Sequence, residues 1–200
     1  WGTRLAALEM IRSGTTTYTD MYYFENVVAE VTREAGLRGV LGQTILDFPA
    51  PDNKTVDAAL AYTEKFLERW RSDPLVIPAV APHSAYTCSA DTLRRARDLA
   101  ARFGAPLLIH LSETEAENRQ VLEKQKQSPT AYLDRLGLLK PRTLAAHAVW
   151  VSDDDIALLR RNVGCVFQDF KLLPDRSAGE NIAYALRVQG ESANNIRASR

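Results

Sequence analysis

LVIPAVAPHSAYTCSADTLRRARDLAARFGAPLLIHLSE, residues 75–113, is the stretch whose reading decides the fold. LVIPAVAP (75–82) and APLLIHL (105–111) are almost unbroken apolar runs, as expected of strands buried on both faces rather than strands with one wet side. Between them, ADTLRRARDLAARFG (90–104) places its apolar residues at helical intervals and stops at Gly104. Strand, helix and strand in this order predict a right-handed βαβ unit with parallel strands.

The same grammar extends outward. Upstream, TRLAALEMIRS (3–13) reads as a helix stopping at Gly14, TTTYTDM (15–21) as a strand, and ENVVAEVTREAG (25–36) as a helix. GVLGQTIL (39–46) is a further strand, and TVDAALAYTEKFLERWRS (55–72) a longer amphipathic helix. Downstream come a polar helical stretch from Glu113 to Gln127, the short helix SPTAYLDRLG (128–137) and the strand TLAAHAV (143–149). Five strands between Thr15 and Val149, alternating with helices, imply an α/β fold: a parallel sheet with helices outside. Periodicity alone leaves open a doubly wound sheet or a (β/α)8 barrel. The strand spacing of roughly 25 to 40 residues suits a barrel interrupted before its first strand and after its sixth.

Bulk properties narrow the function classes. With 200 residues, 46% of them hydrophobic, the chain can bury one sizeable core. Its 25 basic and 25 acidic residues balance, so there is no electrostatic footprint for nucleic acid or an anionic membrane. Cys88 and Cys165 form no CxxC pair, which suits a reducing cytoplasm. No signal-like or spanning apolar segment occurs. The sequence opens on Trp1 inside a helical pattern, without Met or a capping residue, and the expectation is that further sequence lies upstream.

The chain has three histidines, and each falls at or just past the carboxyl end of a predicted strand: His83, His110 and His147. Parallel α/β proteins gather their chemistry there. One strand-end histidine is usually a satisfied structural residue, whereas three together point to a site. Glu113, three positions after His110, adds a carboxylate at the same rim. An imidazole can hold zinc or iron, and a neighbouring glutamate can move protons between a bound water and a leaving group. The alternative is that Glu113 is merely an acid at a helix N-terminus, stabilised by the dipole. Local sequence leaves both readings open.

SGTTTYTDMYYF (13–24), APHSAYTCS (81–89), PLLIHLSETEAE (106–117) and TLAAHAVWVSDDDI (143–156), in this order and spacing, resemble the amidohydrolase superfamily. The likeness is to its methylthioadenosine and S-adenosylhomocysteine deaminase branch and covers residues 1 to about 160. It implies strands two to six of a partial (β/α)8, TIM-type barrel that handles a small heterocyclic substrate with one divalent metal, zinc or iron. Residue by residue it implies His110 as a metal ligand and Glu113 as the proton-handling group in contact with the substrate ring. His147 would stand beside the activated water, and His83 would contact the heterocycle. Tyr22, Tyr23 and Tyr86 are read as packing residues. Homo-oligomerisation stays open.

Departures from the family pattern matter as much. The first-strand HxH pair is absent, as is the eighth-strand aspartate; Asp20 stands at the end of the second strand and does not match it. Metal is therefore expected to be weakly held, and the chain by itself inactive. After residue 158 the likeness is expected to stop. LRRNVGCVFQDFKLLPDRSAGENIAYALRVQG (159–190) resembles the Q-loop segment of ABC transporter ATPases, notably the ATP-binding subunit of the cell-division transporter, with Gln168 in the glutamine's place. No phosphate loop, LSGGQ-type signature or Walker B strand accompanies it, so residues 159–200 are expected to serve as a strand, VGCVF, and a helix, ENIAYALRVQ, that cover apolar surface. Three readings follow: part of a metal-dependent deaminase, a catalytically inactive fusion acting as scaffold or interaction module, and an ABC ATPase fragment that explains the tail alone.

Overall fold

Hydroxyl side chains start four of the helices. Thr55, Ser89, Thr114 and Ser128 accept from the backbone amides of Ala58, Thr92, Glu117 and Ala131, and so satisfy donors that a helix start leaves free. Gly36 and Gly104 end their helices at positive φ, as the sequence anticipates. The structure, a computed structural model, describes residues 1–140, 142–160, 177, 180 and 183.

The described elements run α1 (Gly2–Arg12), β1 (Thr17–Tyr22), α2 (Glu25–Ala35), β2 (Arg38–Ile45), α3 (Val56–Trp70), β3 (Val76–Pro82), α4 (Ala90–Phe103), β4 (Leu107–Leu111), α5 (Glu115–Gln125), α6 (Pro129–Arg135), β5 (Thr143–His147) and α7 (Asp153–Arg160). The five strands form one sheet in the order β1-β2-β3-β4-β5, every neighbouring pair parallel. This is a curled half-barrel, the partial TIM-type barrel that the alternation implies. The polar helix is shorter than expected: α5 begins at Glu115 behind its cap Thr114, which leaves Glu113 outside it. Asp20 lies inside β1 rather than at its end.

Chain contacts divide the protein into two units, Trp1–Trp150 and Val151–Arg200. In the first, the outer face of the sheet packs Leu41 and Val76 against Val28 and Ala29 of α2 and Phe66 and Trp70 of α3. The inner face packs Met21, Val40, Ala79, Ala81 and Leu108. In the second, Ser152 and Asp155 cap α7 reciprocally, each backbone amide bonding the other's side chain at 3.1 and 3.2 Å. The tail strand VGCVF lies outside the described residues; of the tail helix, Glu180 and Ala183 are described, and both are helical.

Gly42 shows how tightly the inner face closes. A Cβ there would stand 2.7 Å from Leu108 Cδ1 and 2.8 Å from the Ala81 Cβ. Because both neighbours sit on strands, Gly42→Ala is expected to destabilise the fold by about 1–3 kcal/mol. The check is a lower denaturant midpoint at an unchanged slope.

Candidate active site at the carboxyl edge of the sheet

The three histidines meet. His83 follows β3, His110 lies within β4 and His147 ends β5, so adjacent parallel strands bring them to one edge. The His83 and His110 ring centroids are 4.6 Å apart, and those of His110 and His147 are 5.2 Å apart with the rings stacked. The Glu113 Oε1 lies 3.8 Å from the His147 Nε2.

Backbone bonds fix this arrangement. The His83 amide donates to the Ile45 carbonyl at 3.1 Å, and the His110 amide to the His83 carbonyl at 2.9 Å. The same carbonyl stands 3.2 Å from His110 Nδ1. Since a carbonyl only accepts, Nδ1 carries the hydrogen, and the neutral form of the ring then has its lone pair on Nε2, where a ligand can use it. The Nδ1 of His83 contacts the hydroxyls of Ser84 and Thr87 at 3.1 and 3.0 Å. Burial, with the neighbouring His110, lowers the His83 pKa to about 4 against an opposing pull from Glu113, so this ring is neutral at pH 7.

The chain makes a tight exit from β4 and β5. Ser112, His147 and Ala148 hold positive φ of 49°, 75° and 53°, a region that side-chain-bearing residues seldom enter. Hydrogen bonds hold the strain: the Ala148 amide donates to the Leu111 carbonyl at 2.8 Å, and those of Val149 and Trp150 to the Ser112 carbonyl at 3.1 and 2.9 Å. These turns bring Glu113 and His147 face to face, which strand periodicity does not foresee.

Two of the tyrosines depart from the packing role expected of them. Tyr22, at the end of β1, is 62% exposed and packs only against the Tyr23 ring among the described aromatic pairs, with centroids 4.7 Å apart. Tyr86 is 39% exposed and stands edge-on to His83 with ring centroids 6.1 Å apart. Sequence reading also passed over Glu25. Its fully buried carboxylate accepts from the Tyr22 amide at 3.1 Å, and its Oε2 has no hydrogen-bond partner among the described residues. Nothing in the local pattern marks it, for at the start of a helix an acid is ordinarily exposed.

Burial, then the nearby Asp20 and Asp52, push the Glu25 pKa up to about 9. Between its ordinary value and 9 the folded protein holds a proton that the unfolded chain releases. The resulting stabilisation is complete below the ordinary carboxylate value and is lost as pH rises through about 9. Unfolding titrations should thus show stability falling with pH over this window, and Glu25→Gln should flatten the slope. An unchanged slope in the variant would assign the pH dependence to other groups.

As to metal, His110 and His147 can offer imidazole nitrogens. Among the described residues, however, no group of three or more histidine, cysteine or carboxylate side chains is placed to hold an ion. The donor set that the described residues supply falls short of the roughly three protein ligands of a catalytic zinc.

The profile of the amidohydrolase family matches residues 1–183. The chain belongs to the amidohydrolase family. Among amidohydrolase relatives, the 5-methylthioadenosine/S-adenosylhomocysteine deaminase of Syntrophobacter fumaroxidans is 50% identical over 159 residues, which is 80% of this chain and 36% of that protein. The 5'-deoxyadenosine deaminase of Methanothrix thermoacetophila is 43% identical over 86% of this chain and 41% of its own length. Among solved structures, a zinc-bound adenosine deaminase from Xanthomonas campestris superposes with a TM-score of 0.78 at 36% identity, covering 80% of this chain and 37% of that one. This amidohydrolase chain thus spans roughly two-fifths of the length of the relatives it matches. No helix among the described residues is long and apolar enough to cross a membrane.

Proposed function

We propose that the chain carries part of the active site of a hydrolytic deaminase acting on adenosine-type or related heterocycles. The convergence of His83, His110, Glu113 and His147 at one sheet edge carries this reading. The names of the relatives support its substrate class. In such a reaction a water oxygen bonds to the ring carbon bearing the amine, the carbon–nitrogen bond breaks, and ammonia leaves a ring carbonyl behind. The water loses two protons, of which one ends on the departing amine and the other on the adjacent ring nitrogen. Glu113 accepts a proton on the water side and returns it to the departing nitrogen. His147, facing Glu113, orients the water, and the neutral His83 presents its Nε2 to the heterocycle.

His110 would bind a divalent metal, zinc or iron, with His147 as a second donor, and the metal would supply a water of lowered pKa. These two donors do not complete a ligand set, so no step is derived through the ion. The same shortfall favours a second reading: alone, the chain is a catalytically inactive scaffold or interaction module. For residues 159–190 the VFQDFKLLP string supports the reading of an ABC-type Q-loop segment with Gln168, without nucleotide chemistry. Balanced charge supports a small-molecule substrate rather than nucleic acid, and the buried free thiol of Cys88 suits the cytoplasm.

The test is a completed barrel: this chain joined to a family-type N-terminal HxH segment and family-type C-terminal strands. Offered adenosine-type nucleosides in H2-18-O, it should release ammonia and place one labelled oxygen in each product. A folded, metal-loaded hybrid that releases no ammonia from any of them would overturn the deaminase reading.

A further inference from the structure

Glu117 takes no part in the chemistry above, yet it is buried and reaches the residue on which that chemistry depends. On α5 it occupies the third helical position behind the cap Thr114, whose hydroxyl accepts from the Glu117 amide at 3.1 Å. A glutamate in this position ordinarily reaches back to the amide of the cap residue and serves its own helix. Here the carboxylate reaches further. Its Oε2 accepts from the Glu113 amide at 2.8 Å and its Oε1 from the Ser112 amide at 3.3 Å. Those two residues form the turn leaving β4, where Ser112 is held at positive φ and its carbonyl accepts from Val149 and Trp150.

We infer that Glu117 is a positioning residue: by holding the Ser112 and Glu113 amides in its carboxylate, it aims the Glu113 side chain at His147. This deepens the deaminase reading and rests on it for the word positioning. Two amides on one buried carboxylate tie the turn to α5, the Glu113 amide by the short bond at 2.8 Å and the Ser112 amide by a longer one at 3.3 Å. Released from it, the strained Ser112 turn can relax, and the partly exposed Glu113, whose Oε1 stands 3.8 Å from His147 Nε2, is free to swing away. A misplacement of about 1 Å in a proton-transferring group can cost on the order of a hundredfold in rate.

The experiment compares the full chain with Glu117→Ala, Glu117→Gln and Thr114→Ala, the last removing only the cap hydroxyl. Glu117→Ala is expected to speed amide hydrogen exchange at Ser112 and Glu113 roughly tenfold, the loss of a charge-assisted bond. It should also shift the His147 ring resonance in the direction that Glu113→Gln shifts it. Glu117→Gln keeps one acceptor oxygen and should recover part of both signals, which also covers failure of the alanine variant to fold. Thr114→Ala should lower thermal stability and move neither signal. If Glu117→Ala or Glu117→Gln lowers stability alone, as Thr114→Ala does, Glu117 is only a helix cap and the inference falls. In the completed barrel, Glu117→Ala should lower kcat about 10- to 100-fold with KM within about twofold. Absence of turnover in the unsubstituted hybrid would count against the deaminase reading while the resonance data still decide the role of Glu117. Full kcat in Glu117→Ala would do the reverse.

Discussion

In the completed barrel, Glu113→Gln lowers kcat by about 10²–10⁴-fold, the contribution usual for a positioned acid–base group, while KM and bound metal stay near their starting values. The substitution keeps the shape of the side chain and its power to accept a hydrogen bond, but it cannot carry a proton between water and amine. The control is Glu115→Gln. Glu115 stands two residues on, paired at 3.0 Å with Arg119 on the exposed face of α5, and its loss should leave turnover unaltered. Equal turnover in wild type and Glu113→Gln would remove Glu113 from the chemistry.

The second large effect concerns metal. The purified chain, dialysed against metal-free buffer, should retain well under one equivalent of zinc or iron, whereas the completed barrel retains about one. The argument is a count of donors: a catalytic zinc is held by about three protein groups with an open position for water. The described residues bring together His110 and His147 and no third ligand. Elemental analysis after dialysis measures it. In the completed barrel His110→Ala should strip the ion, because the Nε2 of His110 is the lone pair that its Nδ1 bond to the His83 carbonyl leaves free.

Much of this was legible in the sequence because parallel strands buried on both faces spell themselves as apolar runs. LVIPAVAP and APLLIHL could hardly be read otherwise, and a histidine at the end of each such run already lies at the right edge of the sheet. What periodicity misses is geometry set by irregular backbone. The positive φ angles at Ser112 and His147 turn Glu113 and His147 towards each other across two strand ends, and no spacing rule encodes them. The same limit explains Glu113 itself, which the pattern joined to a helix that in fact starts at Glu115 behind Thr114. Glu25 and Glu117 escaped notice for a different reason. Each sits in the first turn of a helix, where an acid is unremarked because it favours the dipole, and only the fold shows that both are buried.

Ammonia release from an adenosine-type nucleoside, followed side by side for the chain alone and for the completed barrel, with and without chelator, tests the central claim most directly. Background release by the chain alone and chelator-sensitive turnover by the completed barrel are expected. Chelator-sensitive turnover by the unmodified chain would contradict the incomplete site, and a folded, metal-loaded hybrid without turnover would contradict the assignment of His83, His110, Glu113 and His147 to a deaminase centre.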